Sequence, residues 1–279
     1  MLVKVSISQF APVKTDQKIT KDVALQHNSD VTMGNYKKSI VAKSAVETYS
    51  KLTGAIRNEY MRRTLPWTNE GDRILSQLGY LDFAEWIRRE KHDWETAVGT
   101  FLANWESYVQ DARARLNGAF NIDDYPSMNQ LERKFEFRWK VRPLPSASDW
   151  RVDLGAEEVS AIRQDIEADL QATVDIAVQD VYQRIKTVTS AMVTRLRLYD
   201  PAKPGEHSFR DSLVGNVKDL LDILPSLNIS NDPNIGKFYS DMHDLVRFDA
   251  KELRDNSFSR GEIANRAEAI LTQLRQFIA

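Results

Sequence analysis

The sequence predicts a mainly α-helical protein: long antiparallel helices, arranged as an elongated helical bundle, with a small three-stranded antiparallel sheet. Two observations lead to this fold class. Apolar residues recur every three or four positions over three long segments, as in amphipathic helices. Three short segments instead alternate apolar with polar residues, as in strands with one buried face. The chain of 279 residues is long enough to bury a large core without a disulfide or a metal.

Residues 2–9 are the first predicted strand, because Val3, Val5 and Ile7 alternate with polar residues. A polar connection containing Pro12 follows. Residues 35–63 then contain no proline, and apolar residues recur at helical spacing over the whole segment. They predict a helix of about eight turns, which ends before Pro66.

A second long helix is predicted over residues 82–116. Its apolar residues alternate spacings of four and three, the heptad pattern of a helix that packs lengthwise against a partner. They are Trp94, Val98, Phe101, Trp105, Tyr108 and Ala112.

Residues 134–142, with the sequence KFEFRWKVR, are the second predicted strand. Two interpretations of this segment are open: a nucleic-acid surface of basic and stacking side chains, or part of a small sheet with its aromatic face buried. Because successive side chains of a strand point to opposite faces, one flat surface cannot present both sets. Burial of the aromatic side chains contributes roughly 1.5 to 3 kcal/mol each, which favours the sheet. Residues 149–154 are the third predicted strand.

The longest predicted helix covers residues 156–198. Its apolar residues recur with a mean spacing of about 3.6, which indicates a straight rod and not an extended left-handed coiled coil. Residues 151–180 carry eight acidic and two basic side chains, whereas residues 181–197 carry four basic and no acidic ones. This order of charges complements the helix dipole.

The segment DPAKPGEH, residues 200–207, is a predicted linker. It divides the chain into a long-helix domain with the sheet (residues 1–199) and a C-terminal helical subdomain packed on it (residues 200–279). In the second, one helix is predicted from a Ser208 cap to the residue before Pro225. Another begins with Asp232 as cap and Pro233 at its first position, and a last amphipathic helix ends the chain.

Composition and charge restrict the function classes. The chain has no cysteine, which excludes thiolate nucleophiles and cysteine-ligated zinc. The net charge is -2, and residues 1–150 hold 22 basic against 19 acidic side chains, without the excess of a typical nucleic-acid-binding protein. The first residues lack the apolar core of a signal peptide, and no run of 18 apolar residues occurs. A soluble cytosolic protein is expected.

Catalytic and metal-binding motifs are not found in the sequence. GxxxxGK[ST], GxGxxG, GxSxG and HExxH are all absent. The four histidines lie in separate segments, and a metal site would require them to converge in space. Asp123 and Asp124 are adjacent carboxylates that suit either a divalent cation or a turn, and the turn is favoured. We therefore predict a non-enzymatic protein with no cofactor and no metal.

Four segments resemble a family of tailed-phage and prophage proteins catalogued as a domain of unknown function. They are IRNEYMRRTLPW from Ile56, FNIDDYPSMNQLERKFEFRWKVRPLP from Phe120, DWRVDL from Asp149 and FRDSLVGNVKDLLDILPSLNISNDP from Phe209. The resemblance spans nearly the whole chain. It implies a phage-encoded protein acting in the infected bacterial cytosol. Members of that family are encoded near MoxR-type AAA+ ATPases and von Willebrand A domain proteins, which implies a helical accessory factor and assigns no catalytic residue.

Three functions remain open from the sequence. The first is an interaction protein that contacts a protein partner, such as a phage AAA+ ATPase or a host protein, or that forms a homo-oligomer. The second is a nucleic-acid-binding factor in phage replication or recombination, and the third is an inhibitor of a host defence enzyme. The candidate contacts for nucleic acid or a partner are Arg57, Arg62, Arg63, Arg138, Lys140 and Arg142.

Overall fold

The helices dominate the structure, as the sequence predicts. A computed structural model describes residues 1–67, 71–145, 156–203 and 208–278. Over these residues the α-helices are α1 (Gln17–Gln26), α2 (Lys43–Arg63), α3 (Tyr80–Ala103), α4 (Trp105–Leu116), α5 (Met128–Glu132), α6 (Ala156–Leu198), α7 (Ser212–Leu227), α8 (Pro233–His243), α9 (Ala250–Asp255) and α10 (Ser257–Leu274). Among the described helices, none has both the length and the apolar composition needed to cross a bilayer.

Six strands form two small sheets within the described residues. They are β1 (Leu2–Ser8), β2 (Val13–Thr15), β3 (Lys37–Ser39), β4 (Leu65–Pro66), β5 (Arg73–Ile74) and β6 (Glu136–Arg142). The larger sheet has the order β4-β5-β1-β6, and the smaller one pairs β2 with β3. The pairs β1–β5, β4–β5 and β2–β3 are antiparallel.

The predicted three-stranded sheet therefore differs from the observed one. The two long predicted strands are present as β1 and β6, and they are neighbours in the sheet. β4 and β5 have two residues each and were not predicted, since so short a segment has no detectable alternation. The predicted strand at residues 149–154 lies outside the described residues. The elongated bundle of long antiparallel helices is not confirmed.

The chain forms two compact units. Unit 1 contains Met1–Lys4, Met61–Leu81 and Val141–Ala279, and unit 2 contains Val5–Tyr60 and Asp82–Lys140. These boundaries differ from the predicted division between residues 199 and 200. The difference has a physical cause inside unit 1, where α6 shares one hydrophobic core with α7, α8 and α10.

The aromatic face of β6 is packed inside unit 2, which confirms the sheet interpretation of this segment. Phe137 is only 5% exposed, and its ring lies 5.7 Å from that of Trp94. Phe135 contacts Tyr49 at 5.3 Å between ring centroids, and Trp139 contacts Phe83 at 6.3 Å. These edge-to-face pairs are the geometry that aromatic rings prefer in cores. The face that alternates with them is solvent-exposed.

A hydrogen-bonded chain crosses the same core. Trp94 Nε1 donates to Thr53 Oγ1 (2.8 Å), and the Thr53 hydroxyl lies 2.7 Å from Gln9 Oε1 and 2.9 Å from the carbonyl oxygen of Tyr49. Both Trp94 and Thr53 are buried, so these bonds remove the cost of burying an indole N–H and a hydroxyl. The core of unit 2 thus contains directional hydrogen bonds in addition to apolar contacts.

Helix α6 is the central element of unit 1. From Ala177 onwards one face of α6 is buried in a core that it shares with α7 and α10, and Val181, Ile185 and Met192 are fully buried. Arg184, from the same helix, donates to the carbonyl oxygens of Arg62 (2.5 Å) and Thr64 (2.8 Å). A cation at the carboxyl end of a helix satisfies carbonyls that have no partner within that helix.

Two predicted helices have different boundaries in the structure. Residues 35–63 are helical only from Lys43, because β3 occupies Lys37–Ser39 and pairs with β2. Tertiary pairing here overrides the helical pattern of the sequence. The predicted helix 82–116 is interrupted at Asn104, but its apolar stripe continues across the interruption, with Trp94 and Trp105 both buried.

The predicted limits of the helix after the linker are also wrong. α7 begins at Ser212 and not at Ser208, and Pro225 lies within its last turn. Proline lacks only an amide hydrogen and disturbs mainly the preceding turn. The Asn228 N–H still donates to the Leu224 carbonyl oxygen (3.2 Å) and closes the helix end. The Asp232 cap and the Pro233 start of α8 are confirmed.

We expect the Phe137→Ala variant to lose roughly 3 to 5 kcal/mol of stability, since it removes a buried ring from the core of unit 2. The measurement is urea unfolding followed by tryptophan fluorescence. Val141→Ala is the matched control on the same face of β6, where the side chain is 38% exposed, and it should cost about 1 kcal/mol or less. Equal losses in both variants would contradict a buried aromatic face.

Candidate functional site

The six basic candidate residues are distributed over both compact units. Arg57, Arg138 and Lys140 belong to unit 2, whereas Arg62, Arg63 and Arg142 belong to unit 1. Within unit 2, Arg138 and Lys140 share the exposed face of β6. Within unit 1, Arg62 and Arg63 are consecutive at the end of α2.

Several of these side chains already have structural partners. Arg57 donates from Nη2 to the carbonyl oxygen of Ile7 (3.0 Å), and Arg62 donates from Nη1 to that of Asp219 (2.8 Å). Arg138 forms an ion pair with Glu136 on its own strand, and Arg142 Nη1 lies 3.6 Å from Asp72 Oδ2. Arg57, Arg62 and Arg142 thus each contact a distant part of the chain, whereas Arg138 pairs within its own strand.

Metal binding has no support in the described part of the chain, where no group of three histidine or carboxylate side chains is close enough to hold an ion. His27, His92 and His243 are exposed. Asp124 has a different partner, the ammonium group of Lys38 at 2.9 Å. A cationic side chain therefore stands where the adjacent carboxylates were considered as a cation site.

Lys38 is the centre of a buried polar cluster in unit 2. Its side chain is 5% exposed, and Nζ lies 2.7 Å from Asp16 Oδ2, 2.9 Å from Asp124 Oδ2 and 2.7 Å from the Ala119 carbonyl oxygen. Burial by itself acts to lower the pKa of Lys38, but the two carboxylates outweigh it and the pKa is raised. The hydrogen bond from Lys38, followed by that from the Ile19 N–H, lowers the pKa of Asp16.

This cluster anchors a segment that we call the N-terminal module, residues 13–39. The module consists of β2, α1, a 3₁₀ turn (Val31–Met33) and β3. Asp16 caps α1 by accepting from the N–H groups of Lys18 and Ile19, both at 3.1 Å. The Tyr36 N–H donates to Thr20 Oγ1 (2.9 Å), and this bond joins the start of β3 to α1.

The turn after α1 is fixed by local hydrogen bonds. Asn28 has a φ of 50°, a left-handed conformation that asparagine tolerates, and the Ser29 N–H returns to the Ala24 carbonyl oxygen (2.9 Å). Asp30 then caps the 3₁₀ turn through the N–H of Thr32 (2.8 Å). The chain consequently folds back over α1.

Between α1 and this returning chain lies an apolar depression of about 450 Å³, the module groove. Its rim carries apolar side chains that a soluble domain normally buries. Met33 is 82% exposed, Tyr36 45%, and Val23 and Val31 43% each. Several exposed hydrophobic side chains around one depression are typical of a binding surface.

The module as a whole carries positive charge, whereas the charged side chain that lines its groove is that of Asp30. Four lysines of the module are exposed against two exposed aspartates, while Asp16 is neutralised by Lys38. A second depression of unit 2, of about 890 Å³, is lined by Lys14 and by two further basic side chains, Arg133 and Lys134, together with Asp123 and Asp124. The exposed lysines of the module are Lys14, Lys18, Lys21 and Lys37.

The module was missed in the sequence, where residues 10–34 were interpreted as a polar connection. One signal was present: Asp16 is a good helix cap, and Ile19 and Val23 follow at helical spacing. No pattern in the sequence indicates that Lys38 is buried, because its partners come from residues 22 and 86 positions away.

We expect the Lys38→Met variant to loosen the N-terminal module, because Asp16 and Asp124 would face each other without a cation. Removing one partner of such an ion pair leaves the other charge uncompensated, which destabilises the folded module. Hydrogen exchange should show faster exchange at the amides of residues 13–39. Lys37→Met, which changes the exposed neighbour, is the control and should leave exchange unchanged; equal effects would contradict the role of Lys38.

The pH range over which the N-terminal module is stable follows from the pKa shifts of Asp16 and Lys38. The lowered pKa of Asp16 gives stability that is present above its ordinary pKa of 3.8 and is lost as pH falls through the lowered value. The raised pKa of Lys38 gives stability that is lost only as pH rises beyond its ordinary pKa of 10.5. The amide NMR signals of Lys18, Ile19 and Lys38, which lie next to this ion pair, should therefore change below pH 3.8 and stay constant near neutral pH. A transition of these signals near pH 6 would contradict the assignment.

Comparison of the chain with protein-family models, curated proteins and solved structures finds no match.

Proposed function

We propose that the protein is a non-enzymatic interaction protein whose module groove binds an acidic, amphipathic helix of a protein partner. The single observation behind the proposal is the exposed apolar rim of this groove, with Met33 82% exposed at its edge. Exposed apolar area of this kind is costly in water, and a partner that covers it recovers about 25 cal/mol for each Å² removed from solvent.

The shape of the groove supports a helix as the ligand. α1 forms one wall, and the segment from Ser29 to Tyr36 forms the other. In complexes of this type, a helix places side chains at spacings of three and four into an apolar groove. A depression between a helix and a returning chain can receive such anchors.

The net charge of the module as a whole supports an acidic ligand. Lys18 and Lys21 share a solvent-exposed face of α1, which is not the face that lines the groove through Thr20, Val23 and Ala24. Their charge therefore acts on a partner beside the groove and not within it. Lys14 and Lys37 come from the two strands of the module. Complementary charge increases association rates and discriminates against basic partners.

The resemblance described for the sequence adds a biological setting to this proposal. A phage-encoded accessory protein in the infected bacterial cytosol, with an AAA+ ATPase or a host protein as partner, remains an expectation that rests on the resemblance alone. Inhibition of a host defence enzyme is a special case of the same interaction, and pull-down from infected cells would identify it.

The alternative of nucleic-acid binding uses a different set of residues. Arg57, Arg62, Arg138 and Arg142 each have a carbonyl or carboxylate partner. A phosphate would have to compete with those partners. We retain this function only as an outcome of the experiment below.

The experiment measures binding of two labelled 20-residue peptides to the full chain by fluorescence anisotropy. One peptide is a designed helix with a leucine face and a glutamate face, and the other has the same composition in scrambled order. We expect the amphipathic peptide to bind more tightly, because only it presents its apolar side chains together. Equal affinity for both would contradict the apolar groove.

Met33→Ser tests the groove itself. It should weaken binding of the amphipathic peptide roughly tenfold, the equivalent of losing one buried side chain. Met61→Ser is the control, since Met61 is 51% exposed but lies on α2 outside the groove. A labelled single-stranded DNA of 20 nucleotides is tested in parallel. Tighter binding of the DNA, lost in the Arg138→Ala and Lys140→Ala variants, would replace this proposal with the nucleic-acid function.

A further inference from the structure

The second depression of unit 2 is lined by basic side chains that have no protein partner. It has a volume of about 890 Å³ and shares no lining residue with the module groove. Lys14 comes from β2, and Arg133 and Lys134 directly follow α5. All three side chains are exposed, and none of them forms an ion pair or a side-chain hydrogen bond with a residue that the structure describes.

The backbone around these residues is held by the core of unit 2. Leu131 is fully buried two positions before Arg133, and the Lys134 N–H donates to its carbonyl oxygen (3.0 Å). The ring of Phe135, directly after Lys134, contacts rings of α2 and α3. Lys14 is fixed in the small sheet by the pairing of β2 with β3. A ligand therefore meets these positive charges on ordered segments, which lowers the entropic cost of binding.

Two carboxylates also line the depression, but they do not cancel its positive charge. Asp124 Oδ2 lies 2.9 Å from Lys38 Nζ, so its negative charge already has a partner. Asp123 is exposed, and its side chain has no partner among the described residues. Within the described lining, three unpaired cations thus stand against one unpaired carboxylate. Like charges around one depression repel each other, and a bound anion offsets this repulsion.

The lining favours an anion with several phosphate groups. The guanidinium of Arg133 can hold two phosphate oxygens in its planar fork, while Lys14 and Lys134 act as point charges. An oligophosphate distributes its negative charge over several groups, so it can contact cations from two separate segments at once. The volume of about 890 Å³ lies within the usual range of small-molecule sites. It leaves room for an organic part beside Val13, which is 46% exposed.

We propose that this depression binds a small ligand with an oligophosphate group, such as a nucleoside triphosphate. The phosphates contact Lys14, Arg133 and Lys134, and the organic part packs beside Val13. This inference goes beyond the proposed function, because it concerns other residues and another class of ligand. By binding to the folded chain, the ligand stabilises unit 2 through mass action.

The test titrates inorganic tripolyphosphate into the full chain by isothermal titration calorimetry at low ionic strength. Sulfate at the same ionic strength is the control for a general attraction of anions. The lining variants are Lys14→Gln and Arg133→Gln. Lys21→Gln is the matched control, because Lys21 is an exposed lysine of the same unit that does not line the depression. Adenosine triphosphate is titrated in parallel as a probe with an organic part.

We expect tripolyphosphate to bind at least roughly tenfold more tightly than sulfate, since it can contact cations of both segments. Lys14→Gln and Arg133→Gln should each weaken its binding roughly tenfold, as for the loss of one charge-assisted hydrogen bond. Lys21→Gln should leave the affinity unchanged. Adenosine triphosphate should bind at least as tightly as tripolyphosphate, because the surface beside Val13 receives its organic part.

Asp123→Asn separates a charge effect from damage to the fold. This variant removes the unpaired carboxylate from the lining, and we expect it to bind tripolyphosphate severalfold more tightly than the wild-type chain. A variant that only disturbs the fold would lose affinity instead. Unchanged or weaker binding would contradict an anion site at this position.

Three further results would overturn the inference. Absence of binding up to about 10 mM tripolyphosphate, tenfold above a millimolar Kd, excludes the site. Equal losses in Lys21→Gln and in the lining variants reduce the effect to a general attraction between the anion and basic side chains. A single-stranded DNA that binds at least roughly tenfold more tightly than adenosine triphosphate, through the same lining residues, makes nucleic acid the ligand instead.

Discussion

A buried ammonium group between two carboxylates determines the structure of the N-terminal module. Lys38 contacts Asp16, which caps α1, and Asp124, which belongs to the 3₁₀ turn Ile122–Asp124. One side chain therefore positions the small sheet, the start of α1 and a distant turn of unit 2. An ion pair of this kind contributes little net stability compared with an apolar replacement, but separating Lys38 from either carboxylate would leave a charge without its partner, which favours the observed arrangement. The walls of the module groove depend on that arrangement.

In the rest of unit 2, the aromatic face of β6 positions the elements that pack against it, α2 and α3. The alternation of the strand separates Phe135, Phe137 and Trp139 from Arg138 and Lys140. The rings pack against α2 and α3, so the basic side chains face solvent. The alternation of aromatic and basic residues in β6, which in the sequence suggests a nucleic-acid surface, is thus explained by the packing of its aromatic face in the core. The module groove, with its exposed apolar rim, lies instead in residues 13–39, which carry no alternation of aromatic and basic residues.

Much of the fold is predictable from the sequence because it depends on local periodicity. α6 has the predicted bounds, β1 and β6 agree within two residues, and the stripe from Trp94 to Ala112 is buried except for the half-buried Tyr108. The features that were missed depend on distant partners. Lys38 is buried only because Asp16 and Asp124 reach it, and β4 exists only as a partner of β5. Asn104 interrupts a helix whose apolar pattern is continuous, so no signal for the break exists in that pattern. The candidate groove is not predictable either, since its walls are a helix and a turn. The polar composition of residues 13–39 gives no clear pattern for these elements.

The order of the units along the chain has a consequence for synthesis. Leu2 and Val3 pair with Ile74 and Arg73, and Leu2 belongs to the same core as Leu274 near the carboxyl terminus. Unit 2 is complete once residue 140 has left the ribosome, and domains fold as units during translation. Unit 1, in contrast, cannot close until the last helix is made, almost 140 residues later. Its first four residues therefore remain unpacked during most of translation. A prematurely terminated chain would expose the apolar side of α6 to chaperones and proteases.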